Sequence, residues 1–179
     1  MIIRGLRMQE RLDTLNVALT NEMREREFYL DNAGRTANPV GKAMFQQIAV
    51  EELEHYERLK QLHETWEKQK KWPETVPLLV KNTIVKDVLY DVAKKASTTQ
   101  AGDADDIKAI RIAIDFEAKG AAFYARLRDE STEPRERAFF DLLTGIEQEH
   151  FASLKDTEEY LTDPAGWHQK TERSGLDGA

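Results

Sequence analysis

Apolar side chains recur every three to four residues along most of this chain, and the strict apolar–polar alternation of a half-buried strand is absent. The face through Leu12, Leu15, Leu19, Glu22, Arg26 and Tyr29 predicts a first helix from about Met8 to Gly34, with Gly34 as its stop. Asn38-Pro39, a capping residue followed by a first-turn proline, opens a second helix that runs to about Lys70. Asp103, with Asp106 three residues on, opens another long helix ending near Asp129. Pro134 begins a further one that stops before Asp163-Pro164. The stretch 71–103 is too long for a bare loop in a compact domain. Pro73 and Pro77 break the second helix there, and Ile84, Val85, Val88, Leu89, Val92, Ala93 and Ala96 trace one stripe. A long crossover carrying a short extra helix is the expected result. From Gly166 to Ala179 the periodicity fades into a tail whose largest apolar anchor is Trp167, set to pin it to the bundle or to a partner subunit.

Two helical stripes are interrupted by polar groups at their centres. In the second helix, Phe45 and Ile48 lead to Glu52 and His55, and then to Leu59, Leu62 and Trp66. In the last long helix, Phe140 and Leu143 lead to Glu147 and His150, and then to Leu154 and Leu161. Residues three apart share a helix face, so each Glu-x-x-His pair points where the apolar residues point.

The interruption is part of a duplication. Sliding the chain by 95 residues lays Glu22 on Glu117, Tyr29 on Tyr124, Pro39 on Pro134, Phe45 on Phe140, Glu52 on Glu147 and His55 on His150. In both halves the lone Glu precedes the paired Glu by 30 residues (52 less 22, 147 less 117). Two duplicated helical hairpins, 8–70 and 104–162, therefore predict an all-α four-helix bundle spanning 1–165, with the tail at 166–179.

Four carboxylates and two imidazoles facing one interior would put about four negative charges in a low dielectric, where even one unpaired charge costs several kcal/mol. Two divalent cations cancel that charge. Carboxylate and imidazole together suit iron or manganese. The candidate ligands are Glu22, Glu52, His55, Glu117, Glu147 and His150, with Glu52 and Glu147 the candidates to bridge two metals. Tyr29 and Tyr124 lie two turns beyond the lone glutamates on the same faces, placed to hydrogen-bond a ligand carboxylate. Glu51, Glu54 and Glu149 are expected in solvent, and His63 and His168 have no partner at ligand spacing.

Composition narrows the function further. Charged residues make up 33% and apolar ones 40%, with 9 Gly and 5 Pro, the balance of a folded helical protein. A net charge of -7 argues against nucleic acid as a partner. No run approaches the ~18 apolar residues of a membrane span, and the start MIIRGLRMQERL does not read as a signal peptide, so a cytoplasmic location is expected. The chain has no cysteine, which excludes thiolate zinc sites and cysteine-held iron.

Glu22 and Glu117, each followed six and seven residues on by Phe-Tyr, and the segments EELEH and EQEH resemble the rubrerythrin family over about residues 8–162. The set itself, one Glu from each of two helices and Glu-x-x-His from each of the other two, is that of ferritin-like di-iron proteins. The resemblance implies a ferritin-like four-helix bundle holding two iron ions (manganese or a mixed pair being alternatives), with no haem or iron–sulfur cluster. It implies reduction of hydrogen peroxide or dioxygen, with catalysis acting through the six ligands and tuned by the tyrosines. Rubrerythrins often add a rubredoxin-type module. None can be built without cysteine, so a separate electron-donor protein is implied, and a homodimer is the natural assembly. Rubrerythrins also carry a further Glu one turn after the lone ligand of the third helix. Here that position is Gly120, and its duplicate, Glu25, becomes a candidate seventh ligand. Gly120 leaves either space for the oxidant or a close helix contact. The departure brings the site nearer to the six-ligand pattern of bacterioferritins, so ferroxidase and iron-handling activity is a competing expectation. A metal-free interaction bundle is another.

Overall fold

The computed structural model describes residues 8–70, 80–96 and 100–176, and the expected helix breaks at Pro73 and Pro77 lie outside them. Six helices follow one another: α1 (Met8–Arg35), α2 (Pro39–Gln69), α3 (Val85–Lys95), α4 (Ala104–Glu130), α5 (Pro134–Thr162) and α6 (Pro164–Leu176). The described residues form no strand.

The helix starts obey the capping chemistry read from the sequence. The Asn38 side chain accepts from the backbone N–H groups of Val40 (3.0 Å) and Gly41 (3.2 Å), and Pro39 occupies the first turn, where its missing donor costs nothing. Asp103 and Asp106 form a reciprocal capping box at α4, with Asp106 N–H donating to Asp103 Oδ1 at 2.7 Å. Glu133 caps α5 by accepting from Arg135 and Glu136 backbone N–H groups. At the other end of α2, Lys70 adopts a left-handed conformation (φ 57°) and returns its N–H to the Trp66 carbonyl. Gly34 is not a stop. It lies inside the last turn of α1, which ends one residue later.

Helices α1 and α2 pack along each other, as do α4 and α5. The joints between them, 36–38 and 131–133, are short enough to force each pair antiparallel. The hairpins meet mainly through α2 against α5, with lighter contact between α1 and α4. Helix α3, in the crossover, buries Val85, Leu89 and Ala93 and lies on α2 and α5.

The expected tail is a helix. Pro164 starts α6, Asp163 Oδ1 accepts from Gly166 N–H at 3.0 Å, and Trp167 packs between Tyr160 and Tyr90, with ring centroids 5.4 and 5.2 Å away. Its anchor is within this chain. One buried side chain per turn leaves almost no apolar stripe, so periodicity alone does not reveal the helix.

The bundle interior is divided along its length. One apolar cluster gathers Tyr29, Phe45, Ile48, Leu89, Leu154 and Trp167 at one end; the other gathers Leu15, Leu59, Leu62, Tyr124, Phe140 and Leu143. Between them lies a layer of buried carboxylates and imidazoles.

Candidate metal centre

Each long helix brings its polar groups to that layer through the same 3–4 spacing that builds the apolar core. On α1 the buried series is Leu15, Ala18, Glu22, Glu25, Tyr29 and Ala33, so the two glutamates lie in line with apolar neighbours. On α2, α4 and α5 the layer receives Glu52 and His55, Glu117, and Glu147 and His150, each no more than 1% exposed.

The six side chains expected to converge do so. Glu22, Glu52, His55 and Glu147 offer donor atoms all within 4.8 Å of one another, and Glu52, Glu117, Glu147 and His150 form a second such group. Glu52 and Glu147 belong to both. The two imidazoles stack nearly parallel, with ring centroids 5.9 Å apart. His55 points Nδ1 inward, 3.3 Å from Glu22 and Glu52 and 3.4 Å from Glu147. His150 does the same, 3.4 Å from Glu52 and 3.3 Å from Glu117.

None of these approaches has hydrogen-bond geometry. Glu22 Oε2, both oxygens of Glu52, His55 Nδ1, Glu117 Oε2, Glu147 Oε2 and His150 Nδ1 are all buried without a hydrogen-bond partner. Buried polar atoms are nearly always satisfied, and leaving one unmade costs about 1–3 kcal/mol. A set of orphaned donor atoms from six residues, all facing one point, fits a pair of cations and fits little else.

The electrostatics carry the same message. Burial pushes the Glu22 carboxyl up to about 8, with Glu52 adding to the rise. Burial, then the charges of Glu52 and Glu117, holds Glu147 far above the ordinary carboxylate range. Burial alone would lower both imidazoles, yet Glu52 beside His55 and Glu117 beside His150 hold them well above the usual histidine value. Burial would likewise raise Glu52, but the His55 charge and the close approach of both imidazoles hold it well below. Without metal, protons take the place of cations in this layer.

The tyrosines reach across the bundle. Tyr29 Oη donates to Glu117 Oε1, and Tyr124 Oη donates to Glu22 Oε1, so each hairpin's phenol holds the other hairpin's lone glutamate. Burial, then the charge of the accepting carboxylate, raises both phenols well above their ordinary value, which keeps them donors.

Glu25 is buried, at 7% exposure, and stands outside both donor groups. Burial and then the charge of Glu52 push its carboxyl up to about 9. It lines a pocket of about 220 Å³ with Glu22, Phe116, Gly120, Phe123 and Tyr124. Gly120 serves Glu147: a Cβ there would lie 3.3 Å from its Oε2 and 3.4 Å from its Cδ. The glycine therefore makes room for a carboxylate of the cluster as well as forming the pocket wall.

Glu51 corrects the expectation of a solvated side chain. Its Oε2 lies 2.7 Å from His150 Nε2, and its side chain is only 12% exposed. Burial would raise this carboxyl, but the hydrogen bond and charge of His150 bring it down to about 2. The duplication held the one available signal, because position 146, which corresponds to 51, is an isoleucine. Glu54 is half-buried and faces Arg58 and the Lys81 backbone, while Glu149 is exposed as expected. His63 joins neither donor group, and His168 stacks edge-on against Tyr160 and Trp167.

No helix among the described residues is long and apolar enough to cross a membrane. No curated protein and no solved structure matches the chain. Among family models, Rubrerythrin matches residues 13–158. That span holds most of both hairpins, the crossover between them and all six converging side chains, and the chain belongs to the rubrerythrin family.

Proposed function

We propose that this protein is a non-haem di-iron oxidoreductase that reduces hydrogen peroxide or dioxygen with electrons from a separate donor protein. The observation that carries the reading is the convergence of buried, unpartnered donor atoms from Glu22, Glu52, His55, Glu117, Glu147 and His150. In this reading Glu52 and Glu147, which belong to both donor groups, would serve both metals, while Glu22 with His55 and Glu117 with His150 would each help to hold one of them. When bound, the iron pair supplies the electrons that break the O–O bond.

The chain's own side chains have four tasks. Tyr29 and Tyr124 fix the two terminal carboxylates by donating to them. The apolar clusters above and below the layer keep bulk water out. The pocket between α1 and α4 leads to Glu22 and is wide enough for a molecule of the size of peroxide. Converting one peroxide to two waters consumes two electrons and two protons. Glu25, kept protonated by burial on the pocket wall, is placed to hold one of those protons.

A six-ligand site with Gly120 opposite Glu25 also suits iron oxidation for storage, which needs a large closed shell. Sizing chromatography separates the two readings: a homodimer is expected, and a shell of many chains would favour storage. The main test is anaerobic iron reconstitution followed by stopped-flow mixing with peroxide and then with air. About two irons per chain are expected, oxidised faster by peroxide than by air. Alanine at Glu52 or Glu147 should abolish loading, and unchanged iron content in both variants would refute the assignment. Persistent absence of bound iron and manganese would leave a metal-free interaction bundle as the better description.

A further inference from the structure

The duplicated halves supply equal donors to the layer but support their histidines unequally. His150 Nε2 meets Glu51 Oε2 at 2.7 Å, whereas the carboxylate contacts of His55 among the described residues all use Nδ1. The position that would give His55 a matching partner is Ile146, an apolar residue buried in the core.

Glu51 is itself held in place. Its Oε1 accepts from Gln47 Nε2 at 2.8 Å and from the backbone N–H of Ile84 at 3.2 Å, where the crossover enters α3. One oxygen is tied to α2 and the crossover, and the other faces the imidazole. An ionised carboxylate only accepts hydrogen bonds, so this contact puts the imidazole proton on Nε2. In the neutral imidazole that metal binding requires, the Nδ1 lone pair then faces the carboxylates of the layer. A carboxylate behind a ligating histidine fixes its tautomer and ring orientation and raises its basicity, and losing such a partner typically costs 10–100-fold in metal affinity.

We propose that Glu51 is a positioning residue that makes the two metal positions unequal, so that the one formed by Glu52, Glu117, Glu147 and His150 fills first and holds its ion more tightly. This rests on the dinuclear reading above. Glu25, the other buried carboxylate near the layer, does not offset the difference, because it joins neither donor group and contacts neither histidine among the described residues.

The test is an anaerobic titration with Co(II), followed by its visible absorption, on the wild-type chain, Glu51→Ala and Glu51→Gln. The wild type should take up two equivalents in two resolved steps. Glu51→Ala should still take up two, with the first step weakened about 10–100-fold and merged with the second. Glu51→Gln, which keeps an acceptor oxygen but loses the charge, should fall between them. Proton NMR of the Co(II) form supplies a readout that mere loosening of α2 would not move. One exchangeable, paramagnetically shifted imidazole N–H should be protected in the wild type and lost in Glu51→Ala, while far-UV circular dichroism stays unchanged. A wild type that binds two ions with an isotherm and N–H signal matched by Glu51→Ala overturns the proposal. A wild type that binds no metal overturns the dinuclear reading instead.

Discussion

In the first hairpin Tyr29 reaches across to Glu117, and in the second Tyr124 reaches back to Glu22. Around this matched pair the halves part company. Glu25 on α1 stands where α4 has Gly120, and Glu51 on α2 stands where α5 has Ile146. The matched residues are those whose atoms face the layer or hold a carboxylate that does. The unmatched ones stand on the pocket wall or behind a histidine. The duplicated bundle is thus symmetric where its side chains face the layer, and departs from symmetry one shell of packing further out.

Breaking the matched part should have the largest effect. Tyr29→Phe and Tyr124→Phe each remove one hydroxyl from a buried carboxylate and leave one oxygen without its donor. Leaving a buried oxygen without its partner costs about 1–3 kcal/mol, so each variant should lose about 2 kcal/mol, or roughly 5 °C in Tm for a chain of this size. The comparison predicts equal losses. Chemical denaturation of the two metal-free variants checks it, and losses differing by more than about 1 kcal/mol would show that the crossed bonds are not equivalent.

The bundle and the converging six were legible because both follow from periodicity. The 3–4 spacing that carries Phe45 and Ile48 inward carries Glu52 and His55 inward too, and the repeat of that pattern around Glu147 and His150 removes coincidence as an explanation. What escaped the sequence depends on neighbours from distant segments. Glu51 lies off its own helix's buried face, and only the packing of α5 against α2 and of the crossover over both encloses it. Helix α6 escaped because Asp163 and Trp167 hold it by one cap and one side chain, neither of which makes a stripe. Gly34 misled because glycine ends a helix only when the chain needs a left-handed residue there, and no described glycine has positive φ.

A smaller effect is expected where the halves differ at the pocket. Gly120→Ala should gain up to about 1 kcal/mol of helix propensity. Its new methyl would press on the end of the Glu147 side chain, which must give by a few tenths of an ångström. The metal-free protein should therefore become slightly more stable while the metal-loaded form weakens, because a displaced Glu147 serves both donor groups. Thermal melts with and without metal distinguish this from simple overpacking, which would lower both.

The smallest change, when read at pH 5, is expected on the other side of that pair. Glu25 is already uncharged near pH 7, with its carboxyl lifted to about 9, so Glu25→Gln replaces one neutral group by another of nearly the same shape. At pH 5, close to the unfolded value of 4.5, the stability of the metal-free protein should therefore change by less than about 1 kcal/mol. The pH dependence should change more. In the unfolded chain this carboxyl loses its proton near 4.5, and in the folded chain near 9. Between those values the folded state binds the extra proton, so the stabilisation is complete below about 4.5 and is lost as pH rises through 9. One such group contributes a slope of up to about 1.4 kcal/mol per pH unit. Urea denaturation of the metal-free wild type and Glu25→Gln from pH 5 to 9 should show the wild type losing stability more steeply, with the difference closing toward pH 5. Parallel curves would mean that Glu25 is ionised in the folded protein, and would remove it as a holder of protons on the pocket wall.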